Sequence, residues 1–189
     1  MLAAVLLGYA SLALASAAGA SPMTFTADPD HSSIKFAIRH FFTDQTGRFT
    51  RFDVTMKIDR DDWRNNSATA SIEVASVATD DSTRDAQLLQ PEFFDSEKHP
   101  FITFKSTSWK QTASGFDVAG DLTIKGIARP VVLKVKALGF GPGMFPGSTI
   151  SGWEASTTVN RFDFGVSGYP KMLGADVKIS IDIEADLKN

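Results

Sequence analysis

The strongest constraint in this sequence is a period-two alternation of apolar and polar side chains that recurs along most of its length. Its cleanest instance is 176–187, where Val177, Ile179, Ile181 and Ile183 alternate with Asp176, Lys178, Ser180, Asp182 and Glu184. Successive side chains of an extended chain point to opposite faces, so this pattern predicts a strand with one apolar face buried and one face wet. Residues 33–40 repeat it with Ile34, Phe36, Ile38 and His40 on one face. Residues 47–60 do so with Phe52, Val54, Met56 and Ile58, and residues 68–74 with Ala68, Ala70, Ile72 and Val74. Four more strands follow at 101–109, 115–125, 130–137 and 149–159, carrying Phe104, Leu122, Val131, Leu133 and Val135 among their apolar positions.

A helical pattern interrupts this run, between the third and fourth strands. Asp80, Asp81 and Ser82 offer N-caps, 84–90 continue a short helix, and Pro91 ends it because proline lacks the backbone donor. The apolar pairs Leu88-Leu89 and Phe93-Phe94 beside it are expected to plug one side of whatever the strands enclose. Residues 139–147 are too rich in Gly and Pro to read as an element, so a loop with Met144 and Phe145 exposed is expected, flanking an opening. Eight amphipathic strands joined mostly by short turns describe an antiparallel meander, and closing it on itself removes both sheet edges. The expected fold is therefore all-β: an eight-stranded antiparallel barrel with a short helix between strands 3 and 4. Such a barrel is either filled by its own side chains or wide enough for one small ligand, and periodicity alone leaves both open.

Residues 1–20 stand apart, being apolar, free of charged side chains and closed by Ala18-Gly19-Ala20. That small-x-small ending predicts a cleaved signal peptide, with a retained membrane helix as the rival, and leaves 21–189 as a single domain. A formal net charge of -3 offers no footprint for nucleic acid. With no cysteine, neither disulfides nor thiolate metal ligands are available. Three histidines far apart, with no HExxH, no GxSxG elbow and no phosphate-cradling glycine loop before a helix, point to neither a metal centre nor a known catalytic motif. No cofactor is expected.

The stretches Asp28-Pro-Asp-His-Ser-Ser-Ile-Lys-Phe36, Gly47-Arg-Phe49 with Phe52, the 84–106 block with its Phe93-Phe94-Asp95 and His99-Pro-Phe-Ile-Thr-Phe-Lys-Ser106, Gly120-Asp-Leu-Thr-Ile-Lys-Gly126 with Pro130-Val131, and Asn160-Arg-Phe-Asp-Phe-Gly165 together resemble the YceI-like family of polyisoprenoid-binding proteins. One departure is Gln87-Leu88-Leu89-Gln90, where His-Leu is common in the family. The resemblance implies a lipocalin-like barrel, exported to the periplasm, that holds a long isoprenoid such as a polyprenyl phosphate or a prenyl quinone. The ligand's walls would then be Phe36, Ile38, Phe52, Val54, Met56, Ile72, Val74, Phe104, Leu122, Val131, Leu133, Val135, Ile179 and Ile181, with Leu88 at the plug. His40 at a strand end, Arg84 and Arg161 are the candidates for a head group, their plainer roles being a cap and salt bridges to Asp81 or Asp85 and to Asp163. Transient membrane contact and a monomer or homodimer fit this reading. An enzyme acting on a lipid or quinone in the same cavity is the alternative.

Overall fold

The computed structural model describes residues 22–188, so the leader expected over 1–20 lies outside the described residues. Among the described residues, eleven strands occupy eight positions around a closed antiparallel barrel, because three positions are each split in two by a break in the chain. β1 (Met23–Ala27) and β2 (Ser33–His40) share the first position across the turn 28–32. β3 (Thr43–Phe49) and β4 (Phe52–Ile58) share the second, bent at 50–51. β5 (Ser67–Glu73) and β6 (Val77–Ala78) share the third, separated by a 3₁₀ turn at Val74–Ser76. The remaining positions are β7 (Phe101–Thr112), β8 (Gly115–Ile124), β9 (Ile127–Pro142), β10 (Thr149–Asn160) and β11 (Leu173–Leu187).

The ring closes because β11 serves two partners in turn. Val177 to Asp182 pair with β2, and Ala185 to Leu187 pair with β1, which also pairs with β4. A five-residue strand thus seals the barrel, and its Phe25 is completely buried. The helix α1 (Ser82–Leu88) sits between β6 and β7, where Asp81 caps it by accepting hydrogen bonds from the Thr83 and Arg84 amides.

Two bulges change which face the side chains take. Along β7, Ser106 pairs with Gly120 but Ser108 pairs with Ala119, so Thr107 is the extra residue. Ile102 and Phe104 point inward before it, and Trp109, of opposite parity, points inward after it. Along β9, Gly139 pairs with Gly152 while Ala137 pairs with Trp153, so Leu138 is extra and stands 57% exposed. The strand then continues to Pro142, which corrects the expectation of a loop from Gly139, and Phe140 turns back onto Trp153 and Phe25. Beyond it Met144 and Phe145 stand exposed, as the composition suggested.

One glycine allows a close approach within the wall. A Cβ at Gly120 would stand 2.5 Å from carbons of the Phe104 ring and 2.6 Å from the Lys105 carbonyl oxygen. Because the second obstacle is backbone, Gly120→Ala is expected to lose about 1–3 kcal/mol in chemical denaturation through overpacking. A wild-type midpoint in that variant would mean the Phe104 ring and β7 can yield freely.

Candidate functional site: an apolar cavity inside the barrel

Inside the barrel lies a cavity of about 220 Å³. It shows in the burial pattern of single strands. On β10, Ser151 and Trp153 at one end and Val159 at the other are buried, whereas the inward Ala155 and Thr157 between them are only half-buried. On β11, Ile183 and Ala185 are buried while Val177, Ile179 and Ile181 are half-buried. Inward side chains that retain accessible surface at mid-height border space, not protein. Among the described residues, no polar atom is exposed on the cavity wall.

One end is a floor of aromatic rings. Phe116, Trp109, Trp153, Phe140 and Phe25 meet edge-to-face in sequence, with centroid separations of 5.6, 6.1, 5.6 and 5.7 Å. Each indole N–H is satisfied by a serine: Trp109 Nε1 donates to Ser106 Oγ at 3.4 Å and Trp153 Nε1 to Ser151 Oγ at 3.0 Å. The loop after β9 belongs to this sealed end and does not flank an opening there, because Phe140 is part of the floor.

The other end is closed by irregular chain. Leu88, Phe93 and Phe94 reach the cavity from α1 and the turns after it, and Phe164 and Val166 reach it from the 3₁₀ turn Arg161–Phe164 and beyond. Long polar side chains tie these pieces down. Lys125 Nζ donates to the Pro91 and Gly165 carbonyls, the Ser167 and Gly168 amides donate to the Glu92 carbonyl, and Gln87 Nε2 donates to the Tyr169 hydroxyl. Arg161 is the central tie, only 4% exposed. Its guanidinium donates to the carbonyls of Gly174 (2.8 Å), Val166 (2.9 Å), Gly168 (2.8 Å) and Leu173 (3.3 Å). Burial holds its pKa below the ordinary arginine value. Its ring partner is Phe162, 4.2 Å away.

Most of the residues expected on the wall from parity do line this cavity: Phe36, Ile38, Val54, Met56, Ile72, Phe104, Leu122, Val131, Leu133, Val135, Ile179 and Ile181, with Leu88 and Arg161 at the irregular end. Four do not. Phe52 is buried at the bend where β3 becomes β4, and Val74 is buried in the 3₁₀ turn that breaks β5 from β6, so both pack in the core and not on the wall. His40 ends β2 beside Phe41, whose amide donates to Met172, and β11 is bulged between Leu173 and Val177, so the inward face stops at Ile38. Arg84 donates to the Thr79 hydroxyl (2.8 Å) and carbonyl (2.6 Å), tying α1 to the end of β6 and not to Asp81 or Asp85. Arg161 likewise takes carbonyls and not Asp163.

Trp109 and Phe140 are the wall and floor residues that parity missed because bulges reversed it, whereas Trp153 keeps the phase of Ala155, Thr157 and Val159 on β10, so alternation along that strand could have found it. On the outer rim, Asp28, His31 and Glu184 each bring a potential ligand atom within 4.8 Å of the others. Asp28 and His31 are hydrogen-bonded to each other at 2.7 Å, which raises the pKa of His31 and lowers that of Asp28.

Comparison with known proteins agrees with this geometry. Residues 25–185 match the YceI-like domain. A UPF0312 protein of Pectobacterium atrosepticum is 30% identical over 97% of both chains, and one of Staphylococcus aureus is 34% identical over 85% of this chain and 95% of its own. Among solved structures, the Campylobacter jejuni YCEI protein shares 26% identity and a TM-score of 0.71 over 80% of this chain and 90% of its own. Burkholderia cenocepacia BcnA has a TM-score of 0.74 at 23% identity, over 84% of this chain and 98% of its own. A polyisoprenoid-binding domain from Saccharophagus degradans implicated in plant cell wall breakdown has a TM-score of 0.63 at 13% identity, over 88% of this chain and 99% of its own; like BcnA, it is a likeness of fold. A match across nearly the whole described chain, with relatives of similar length and the same closed barrel, means that this protein belongs to the YceI-like family.

Proposed function

We propose that this protein is a periplasmic binding or carrier protein for a long-chain isoprenoid-type lipid, a polyprenyl phosphate or a prenyl quinone, whose tail lies inside the barrel. The observation that carries this reading is the cavity wall without an exposed polar atom. A void so lined gives water no hydrogen-bond partner and favours a hydrocarbon guest. Each methylene moved from water into it contributes about 0.8 kcal/mol, offset in part by immobilisation, so the tail supplies the affinity. The solved relative described as polyisoprenoid-binding has the same barrel, which supports this class of ligand. Export rests on the apolar leader ending in Ala18-Gly19-Ala20.

Native mass spectrometry of the protein expressed in its own host, followed by solvent extraction, tests both parts. The expected result is a chain cleaved near residue 21 carrying one equivalent of prenyl lipid that is recovered chemically unchanged. Recovery of a protein with no bound lipid, and none taken up on incubation with a prenyl lipid, would overturn the carrier reading.

A further inference from the structure

We propose that Trp109 and Trp153 form a ruler that sets the length of the tail this barrel holds, a step that rests on the carrier reading above. Both indoles line the cavity and are only 4% exposed. Behind them stand Phe116, Phe140 and Phe25 in unbroken edge-to-face contact, with the Arg60 guanidinium over Phe140 at 4.9 Å. The cavity therefore ends at the two indoles.

Two features make this stop rigid and specific for the apolar end of a ligand. Bulges at Thr107 and Leu138 turn Trp109 and Phe140 inward, against the parity of the preceding strand. Serine hydroxyls hold both indole N–H groups; Ser106 Oγ also accepts from the Ala68 amide at 2.8 Å, and Ser151 is 1% exposed. With those donors saturated, the floor offers nothing to a polar head. The opposite end is closed by irregular backbone tied down by Gln87, Lys125 and Arg161 and not by packed rings, so it is the end at which the barrel would open. The tail thus enters first and its last isoprene unit abuts the indoles. A chain one unit too long leaves five carbons in water, and one a unit too short leaves the indoles facing a void. Either mismatch lowers retention by on the order of a hundredfold, because the burial of about five carbons is lost and only partly offset by the freedom the chain keeps.

The test is competitive loading of the full chain with an equimolar ladder of all-trans prenyl alcohols of stepwise length, followed by extraction and mass spectrometry. Wild type is expected to retain one modal length. Trp109→Leu and Trp153→Leu should move that mode up by one isoprene unit, since an indole contains more heavy atoms than the unit it would admit. Ala155→Phe should move it down, because Ala155 lines the cavity two residues from Trp153 on the same face. Folded tryptophan variants with the wild-type distribution would overturn the ruler. If those variants do not fold, Ala155→Phe decides it, and an unshifted mode there overturns it equally. Retention of no prenyl alcohol by wild type would instead sink the carrier reading on which the ruler rests.

Discussion

Replacing Arg161 by methionine is expected to lower stability by about 3 kcal/mol, because buried carbonyls left without a donor each cost on the order of 1–3 kcal/mol and only some can turn to water. For a chain of this size that is a fall of roughly 6–12 °C in melting temperature. All four acceptors lie between Val166 and Gly174, in the segment that closes the irregular end of the barrel. The amides of Ser167 and Gly168 should accordingly lose hydrogen-exchange protection first, while the β7–β8 ladder keeps its own. Arg161→Lys should recover little, because an ammonium group at a single point cannot span carbonyls that the planar guanidinium reaches from three nitrogens. A melting temperature within a degree or two of wild type in Arg161→Met would show that the segment holds without this tie.

The second large effect concerns the void itself. Leu133 is half-buried at mid-height of β9 and lines the cavity. In a packed interior, Leu133→Trp would overpack and lose about 1–3 kcal/mol, whereas in a hollow one the added indole finds unfilled space. The expected outcome is complete loss of retained prenyl lipid with a chemical-denaturation midpoint close to that of lipid-free wild type. Full lipid retention in a folded Leu133→Trp variant would place the ligand somewhere other than this cavity. A large loss of stability would mean that the interior has no room to spare.

These expectations draw unequally on sequence and structure. Parity within a strand identified Phe36, Ile38, Val54, Met56, Leu133 and Ile179 as inward, since one apolar face per strand is a local property of extended chain. The short helix was equally legible, with Asp81 as its cap and Pro91 beyond its end, because caps and breakers act over a few residues. Parity failed wherever the chain breaks or bulges. Phe52 lies at a bend, Val74 in a 3₁₀ turn, and Trp109 and Phe140 beyond an inserted residue, so each departs from the face or role its spacing predicts. The strand β1 was missed altogether, being only Met23 to Ala27 and lacking any signal stronger than Phe25.

The sequence by itself determined that this chain makes eight two-faced ribbons with one helical interruption, because side-chain alternation and capping are properties of neighbouring residues. Tertiary structure alone decided that the ribbons enclose a hollow with an aromatic floor, and that Arg161 is spent on backbone carbonyls and not on a carboxylate. A void is the difference between a barrel's radius and the side chains pointing into it, and a carbonyl acceptor looks the same in every residue. Neither quantity exists until strands far apart in sequence are brought together.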